Sequence, residues 1–183
     1  MAVTHPVFGR LDAVPALDRP DLLAEPVRRA IADQALDVRV AEIDPAFADT
    51  ENLCAHYGVP LDASANAVVV RGTRAGVDRH TVCMVLATHR VDVNGLVRRR
   101  LDARKASFAP MDFAVEASGM EYGGINPVGA PADWPVWVDG GVADTEWLCI
   151  GSGVRHSKLF LTSATLLSLP AAERVDDLAR SAG

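Results

Sequence analysis

Asn66 to Val70 and Val82 to Ala87 are short, β-branched and almost continuously apolar. Runs of that kind suit strands buried on both faces of a sheet. They commit the middle of the 183-residue chain to central strands, joined through a turn over residues 72–79. Val38 to Ile43 alternates apolar and charged residues, as a half-buried strand does. Residues 134–138, 147–150 and 158–161 supply further apolar runs, and 66–70, 82–87, 134–138 and 147–150 are expected to share one sheet. Helical spacing occupies 21–36, regular from Pro26 onward, and 51–57 behind Asp49 or Thr50 as N-cap, with Gly58 at the C-terminal end. Residues 93–103 read as a helix capped by Asn94, and 111–118 as one ended by Gly119. A last apolar helix is capped by Thr162 and runs into Pro170. Strands outnumber long helices and do not alternate with them. The fold class is therefore α/β of the α+β type, a mixed sheet with flanking helices rather than a doubly wound parallel one.

Two glycine-rich stretches interrupt this pattern: Tyr122-Gly-Gly-Ile-Asn-Pro-Val-Gly129 and Ile150-Gly-Ser-Gly-Val-Arg-His-Ser-Lys158. Each lies between strongly apolar segments. Glycine lets a ligand approach the bare backbone closely, and Pro127 forces Asn126 toward an extended conformation. Two such loops in one small protein suggest a pocket lined by main-chain N–H groups; tight turns are the plainer alternative.

The length fits one domain, 1–183. Hydrophobic residues make up 49% and charged ones 23%, as in ordinary globular chains. No apolar run reaches the roughly 18–20 residues of a membrane helix, and residues 1–10 lack a signal-peptide pattern, so no membrane partner is expected. Cys54, Cys83 and Cys149 are odd in number and widely spaced. A disulfide framework is not implied, and a reducing cytoplasm is the expected setting. The net charge of −6 argues against nucleic-acid binding through global charge. Eleven of the eighteen basic residues nevertheless fall between positions 71 and 158, so a basic face is feasible, as is a merely solvated helix surface.

His80, Cys83, His89 and Cys149 have no finger-like spacing, and no Walker or dinucleotide fingerprint is present, so neither metal nor cofactor is expected. Gly151-Ser152-Gly153 is not a nucleophile elbow, because its glycines flank the serine directly. Trp134, Trp137 and Trp147 alternate with apolar residues and suit core or rim.

The order Gly-Gly-Ile-x-Pro-x-Gly over 123–129, an apolar strand with Asp139, then Gly151-x-Gly153 before a polar strand start resembles the YbaK/EbsC family. These are trans-editing aminoacyl-tRNA deacylases related to the editing insertion of bacterial prolyl-tRNA synthetases. The resemblance covers residues 36–170, leaving a leader and helix over 1–35 and a tail over 171–183. It implies a curved, mostly antiparallel sheet with a single cleft, and hydrolysis of a mischarged amino acid from tRNA in trans, a translation-fidelity role. The aminoacylated 3′ end of tRNA is the implied partner, with a synthetase as a further one. Members carry a lysine before the first buried strand, which would hold the phosphate of the terminal adenosine. Here that place reads Ala65-Asn66. Asn66 is then expected to bond a ribose hydroxyl or the scissile carbonyl, or else simply to tie two strands together.

The resemblance also makes Met120, Gly123, Gly124, Ile125, Asn126 and Pro127 the aminoacyl pocket, with Gly151, Ser152 and Gly153 opposite. Backbone amides of 123–125 and 151–153 would hold the oxyanion. His156 would contact the terminal ribose or act as a general base. Lys158, from the opposite wall, can replace the missing positive charge, or can sit on the surface. Three readings follow: the editing hydrolase, a non-catalytic binding module that lost turnover with the family lysine, and hydrolysis of another small ester.

Overall fold

The computed structural model describes residues 4–182. Its strands are β1 (Val14–Pro15), β2 (Arg39–Glu42), β3 (Ala65–Arg74), β4 (Val77–Leu86), β5 (His89–Val91), β6 (Lys105–Phe108), β7 (Val136–Asp139), β8 (Trp147–Gly151), β9 (Ser157–Thr162), β10 (Ala172–Val175) and β11 (Ala179–Ser181). The helices are α1 (Glu25–Asp33), α2 (Thr50–Tyr57), α3 (Arg98–Arg100), α4 (Met111–Ser118), α5 (Gly140–Ala143) and α6 (Ser163–Leu167). The β-structure is mixed and mostly antiparallel with helices packed around it, which is the expected class.

It is divided differently from the sequence expectation. A five-stranded sheet runs β10-β7-β4-β3-β6 and a four-stranded one runs β1-β2-β9-β8, while β11 pairs with β5. Residues 147–150 therefore do not join the sheet of 66–70, 82–87 and 134–138. They pair along β9, reached through only a short loop, and local pairing loses less loop-closure entropy than a distant one. Between β3 and β8 there is a lone parallel bridge, Ser64 to Cys149.

Alternation sorts the side chains into three apolar layers. Ala65, Val69, Val82, Met84, Val136, Leu148, Ile150, Leu159 and Leu161 fill the central one with α1 and α6. Val70, Cys83, Val85, Trp137, Val97 and Leu101 cover the far face of the larger sheet. Phe8, Ile43, Leu53, Cys149 and Phe160 cover the far face of the smaller.

Two local expectations are corrected. β3 continues through Gly72, where a Cβ would meet that of Ala103 at 2.7 Å. The hairpin tip is instead Ala75-Gly76, with φ of 51° and 78°, a two-residue connection whose twist matches its strands. Residues 93–97 form a π-helical turn before α3, and the cap is Asp92, which accepts from the N–H groups of Gly95 and Leu96, rather than Asn94. By contrast α2 and α4 end on left-handed Gly58 and Gly119, and Thr162 caps α6, as the sequence indicated. Trp134 and Trp137 are buried in the core.

Candidate functional site

β6 pairs with β3 only over Val70–Thr73, and the Val69 carbonyl accepts the next bond from Ala109 N–H at 2.8 Å. The main-chain groups of alternate residues point to the same edge of a strand. Two residues before Val69, the N–H and C=O of Ala67 therefore point outward where β6 no longer runs. On the far side β8 touches β3 at the Ser64–Cys149 bridge and then diverges. A cleft of about 380 Å³ opens between the two separating strands. Ala65, Ala67, Ala109 and Ala114 leave it room; Leu53, Val69, Ile125 and Ile150 keep it mostly apolar. Its mouth carries Phe108, Met111 and Tyr122, all more than half exposed.

Lys158 enters this cleft from β9, where it pairs across to Ala41 and Gly151. The residue is 7% exposed. No hydrogen bond or ion pair among the described residues ends on its ammonium; the nearby charges, Arg155 and Asp49, lie 3.8 Å from each other. Burial holds its pKa below the ordinary lysine range, because the charged form has lost more by leaving water than the nearby Asp49 returns. A buried ammonium lacking a counter-charge is a ready acceptor for an anion or a developing negative charge. Beside it Cys149 is inert as a nucleophile, since burial pushes its thiol up to about 12.

Asn66 faces the cleft from β3, and Thr50 at the start of α2 donates to its Oδ1 at 3.0 Å. That bond leaves the Asn66 amide hydrogens for a ligand. Ser64, donating to the Pro60 carbonyl at 3.0 Å, closes the floor near Cys54.

The two glycine loops do not face each other across the cleft. They pack together as one wall: Gly153 N–H donates to Gly124 O at 2.7 Å, and Glu121 N–H to Gly153 O at 2.8 Å. The contact depends on missing side chains, because a Cβ on Gly151 would lie 2.5 Å from the Gly124 carbonyl oxygen. The amides of Gly124 and Gly153 are thereby engaged, Gly124 N–H on Glu121 O, and neither is open to an oxyanion.

Of the expected site residues, Asn66, Lys158, Gly123, Ile125 and Gly151 line the cleft together. The others do not. Asn126 is fully buried and spends its amide on Val128 N–H and Gly124 O. Met120 is buried behind that turn, in contact with the Asn126 amide. Ser152 bonds Ser157 at 2.7 Å, knitting the loop to β9. Pro127 lines a separate cavity of about 310 Å³ with Trp134 and Pro170. His156 turns toward the Asp21 carbonyl, 3.4 Å from Nε2, because its own carbonyl is tied to Ile43 N–H and holds that end of the loop against β2.

Sequence reasoning missed Thr50, Ser64, Phe108, Met111 and Tyr122. Exposed aromatic and methionine residues in short segments were the available signal; a threonine at a helix start reads simply as a cap.

The sequence profile described as the aminoacyl-tRNA editing domain matches residues 44–169. No curated protein sequence matches significantly. Among solved structures, a candidate trans-editing enzyme for prolyl-tRNA synthetase is 20% identical with a TM-score of 0.72, over 84% of this chain and 94% of that one. A crystal structure of a hypothetical protein is 19% identical with a TM-score of 0.74, over 85% of this chain and all of the other. At these identities the structural likeness speaks for the fold. No helix among the described residues is long and apolar enough to cross a membrane.

Proposed function

The chain belongs to the aminoacyl-tRNA editing domain family, and from that premise we propose that it deacylates mischarged tRNA in trans. The observation that carries the reading is Lys158, a buried, unpaired ammonium in the same cleft as Asn66 and the open edge of β3. Water adds to the ester carbonyl, the carbonyl oxygen takes up negative charge, and collapse releases the amino acid and the ribose hydroxyl of tRNA. Lys158 supplies the positive charge that relatives bring from the start of β3, either to that oxygen or to the terminal phosphate. Ala67 N–H and the Asn66 amide orient the ester against it. An aminoacyl ester is already activated, so positioning and charge stabilisation can provide most of the acceleration. The apolar cleft takes the aminoacyl side chain.

One observation favours a second reading, a non-catalytic aminoacyl-tRNA or synthetase-associated module: β3 opens Ala65-Asn66, with no lysine. Deacylation measured on a panel of misacylated tRNAs separates the two. Hydrolysis of one or more members, lost in Lys158→Ala, supports the enzyme. Tight binding with negligible turnover across the whole panel selects the module.

A further inference from the structure

Charge in this acidic protein is divided sharply. Residues 65–110 carry nine Arg and Lys against three Asp and Glu, a net +6, while the remainder of the chain carries −12. The structure puts part of this basic segment, on β3 and β6, just beyond the cleft. Along β3, Ala67, Val69, Arg71 and Thr73 point to the same face, and Ser107 and Lys105 of β6 stand directly opposite Arg71 and Thr73. Arg71 thus follows the cleft-lining Val69 by two residues, about 7 Å, and Lys105 lies about 7 Å further on. Arg104 adds to the same end, its N–H bonded to Thr73 O.

The carboxylates there are too few to neutralise it. Asp78 lies 3.8 Å from Arg71, and Asp102 is shared by Arg74 and Arg79. Arg104 and Lys105 are exposed and have no ion pair among the described residues. The helical walls are opposite in sign, with Glu51 on α2 and Asp112 and Glu116 on α4 exposed. At the cleft mouth, next along the chain after Lys105 and Ser107, stand Phe108 and Met111, 64% and 51% exposed, together with Tyr122. Exposed aromatics next to a basic track suit unpaired bases attached to phosphates.

We infer that the corner formed by β3 and β6, through Arg71, Ser107, Lys105 and Arg104, is the phosphate track along which an RNA strand reaches the cleft. Phe108, Met111 and Tyr122 hold its unpaired terminal bases. Arg98 and Arg99, which belong to the far side with α3, lie outside the track, and Arg100 is committed to Glu173 and Trp137. This inference rests on the editing reading for its substrate.

The test titrates uncharged tRNA over a range of salt against the parent, Arg71→Glu/Lys105→Glu, and Arg28→Glu/Arg29→Glu on α1. Hydrolysis is measured in parallel on misacylated tRNA and on aminoacyl-adenosine, which is too short to reach the track. The track variant should bind tRNA about 10- to 100-fold more weakly at low salt, with a salt slope shallower by about 2. Its rate on aminoacyl-adenosine should match the parent, and the α1 variant should bind as the parent does. Binding within twofold of the parent, or an equal loss in the α1 variant, overturns the track. So does an equal loss on aminoacyl-adenosine. Should the double glutamate variant fail to fold, Arg71→Gln/Lys105→Gln should show an intermediate loss. A parent that hydrolyses nothing would sink the editing reading, whereas the tRNA titration would still decide the track.

Discussion

The two halves of β3 share one strand, one partner in β4 and one buried face, yet only one half has a strand paired along its outer edge. From Val70 to Thr73 that edge is closed by β6, and the outward side chains are Arg71 and Thr73. Around Ala67, between the bond from Ala109 N–H to Val69 O and the Ser64–Cys149 bridge, the edge lies open, small residues replace charged ones, and Lys158 and Asn66 line the cleft beside it. Open strand edges are hazards for aggregation. Here the hazard is contained inside a cleft, and its main-chain groups become available to a ligand. The closed half holds the charge and the open half lines the cleft.

The largest effect expected concerns the open half. Lys158→Ala should lower kcat/KM for deacylation by about 100-fold or more, the scale of losing a charge aimed at a transition state. Rates within fivefold of the parent would break the assignment of chemistry to this end of the strand. The same residue has a pH signature. Its folded pKa lies below the ordinary lysine value, so activity should fall as pH rises through that lowered pKa. Lys158→Arg, which remains charged, should move the falling limb to higher pH.

Next in size, Ala67→Pro removes the outward N–H without touching the ladder to β4, because Ala67 points away from that strand. Deacylation should drop about 10-fold with the fold intact by circular dichroism, whereas Val68→Pro, whose N–H faces β4, should unfold the protein. Equal behaviour of the two would mean that the edge is not open as described.

Stability sharpens the contrast. Gly151→Ala sets a Cβ against the Gly124 carbonyl, a backbone atom that cannot swing aside. A cost of about 1–3 kcal/mol corresponds to a Tm lower by several degrees at roughly 2–4 °C per kcal/mol. Lys158→Met should act in the opposite direction. The unfolded chain binds the lysine proton more readily than the folded one. The stability penalty of Lys158 is therefore full below its folded pKa and vanishes as pH approaches the unfolded value. Thermal melts should show Lys158→Met above the parent at neutral pH, with the gap closing in alkali.

The smallest effect belongs to Thr50→Val, which frees Asn66 to rotate. A loss of a few fold in kcat/KM, with Asn66→Ala adding little on top of it, would show the two acting as a unit.

Much of the architecture was legible in local chemistry. The β-branched runs became β3 and β4, Gly58 and Gly119 became left-handed helix ends, and Thr162 became a cap, because each depends on residues within a few positions. Asn66 and Lys158, expected at the site from the motifs around them, line one cleft. His156, Asn126 and Ser152 look equally functional in sequence. Their hydrogen bonds run to Asp21, Val128 and Ser157, and none of the three lines the cleft. The sequence alone determined the element types, the glycine positions and the supply of basic residues in the middle of the chain. Only the tertiary structure decided that β8 leaves the larger sheet, that the two loops merge into one wall, and that β6 stops short of Val69. Those outcomes turn on which distant strands pair and where they part, and no short-range pattern records that competition.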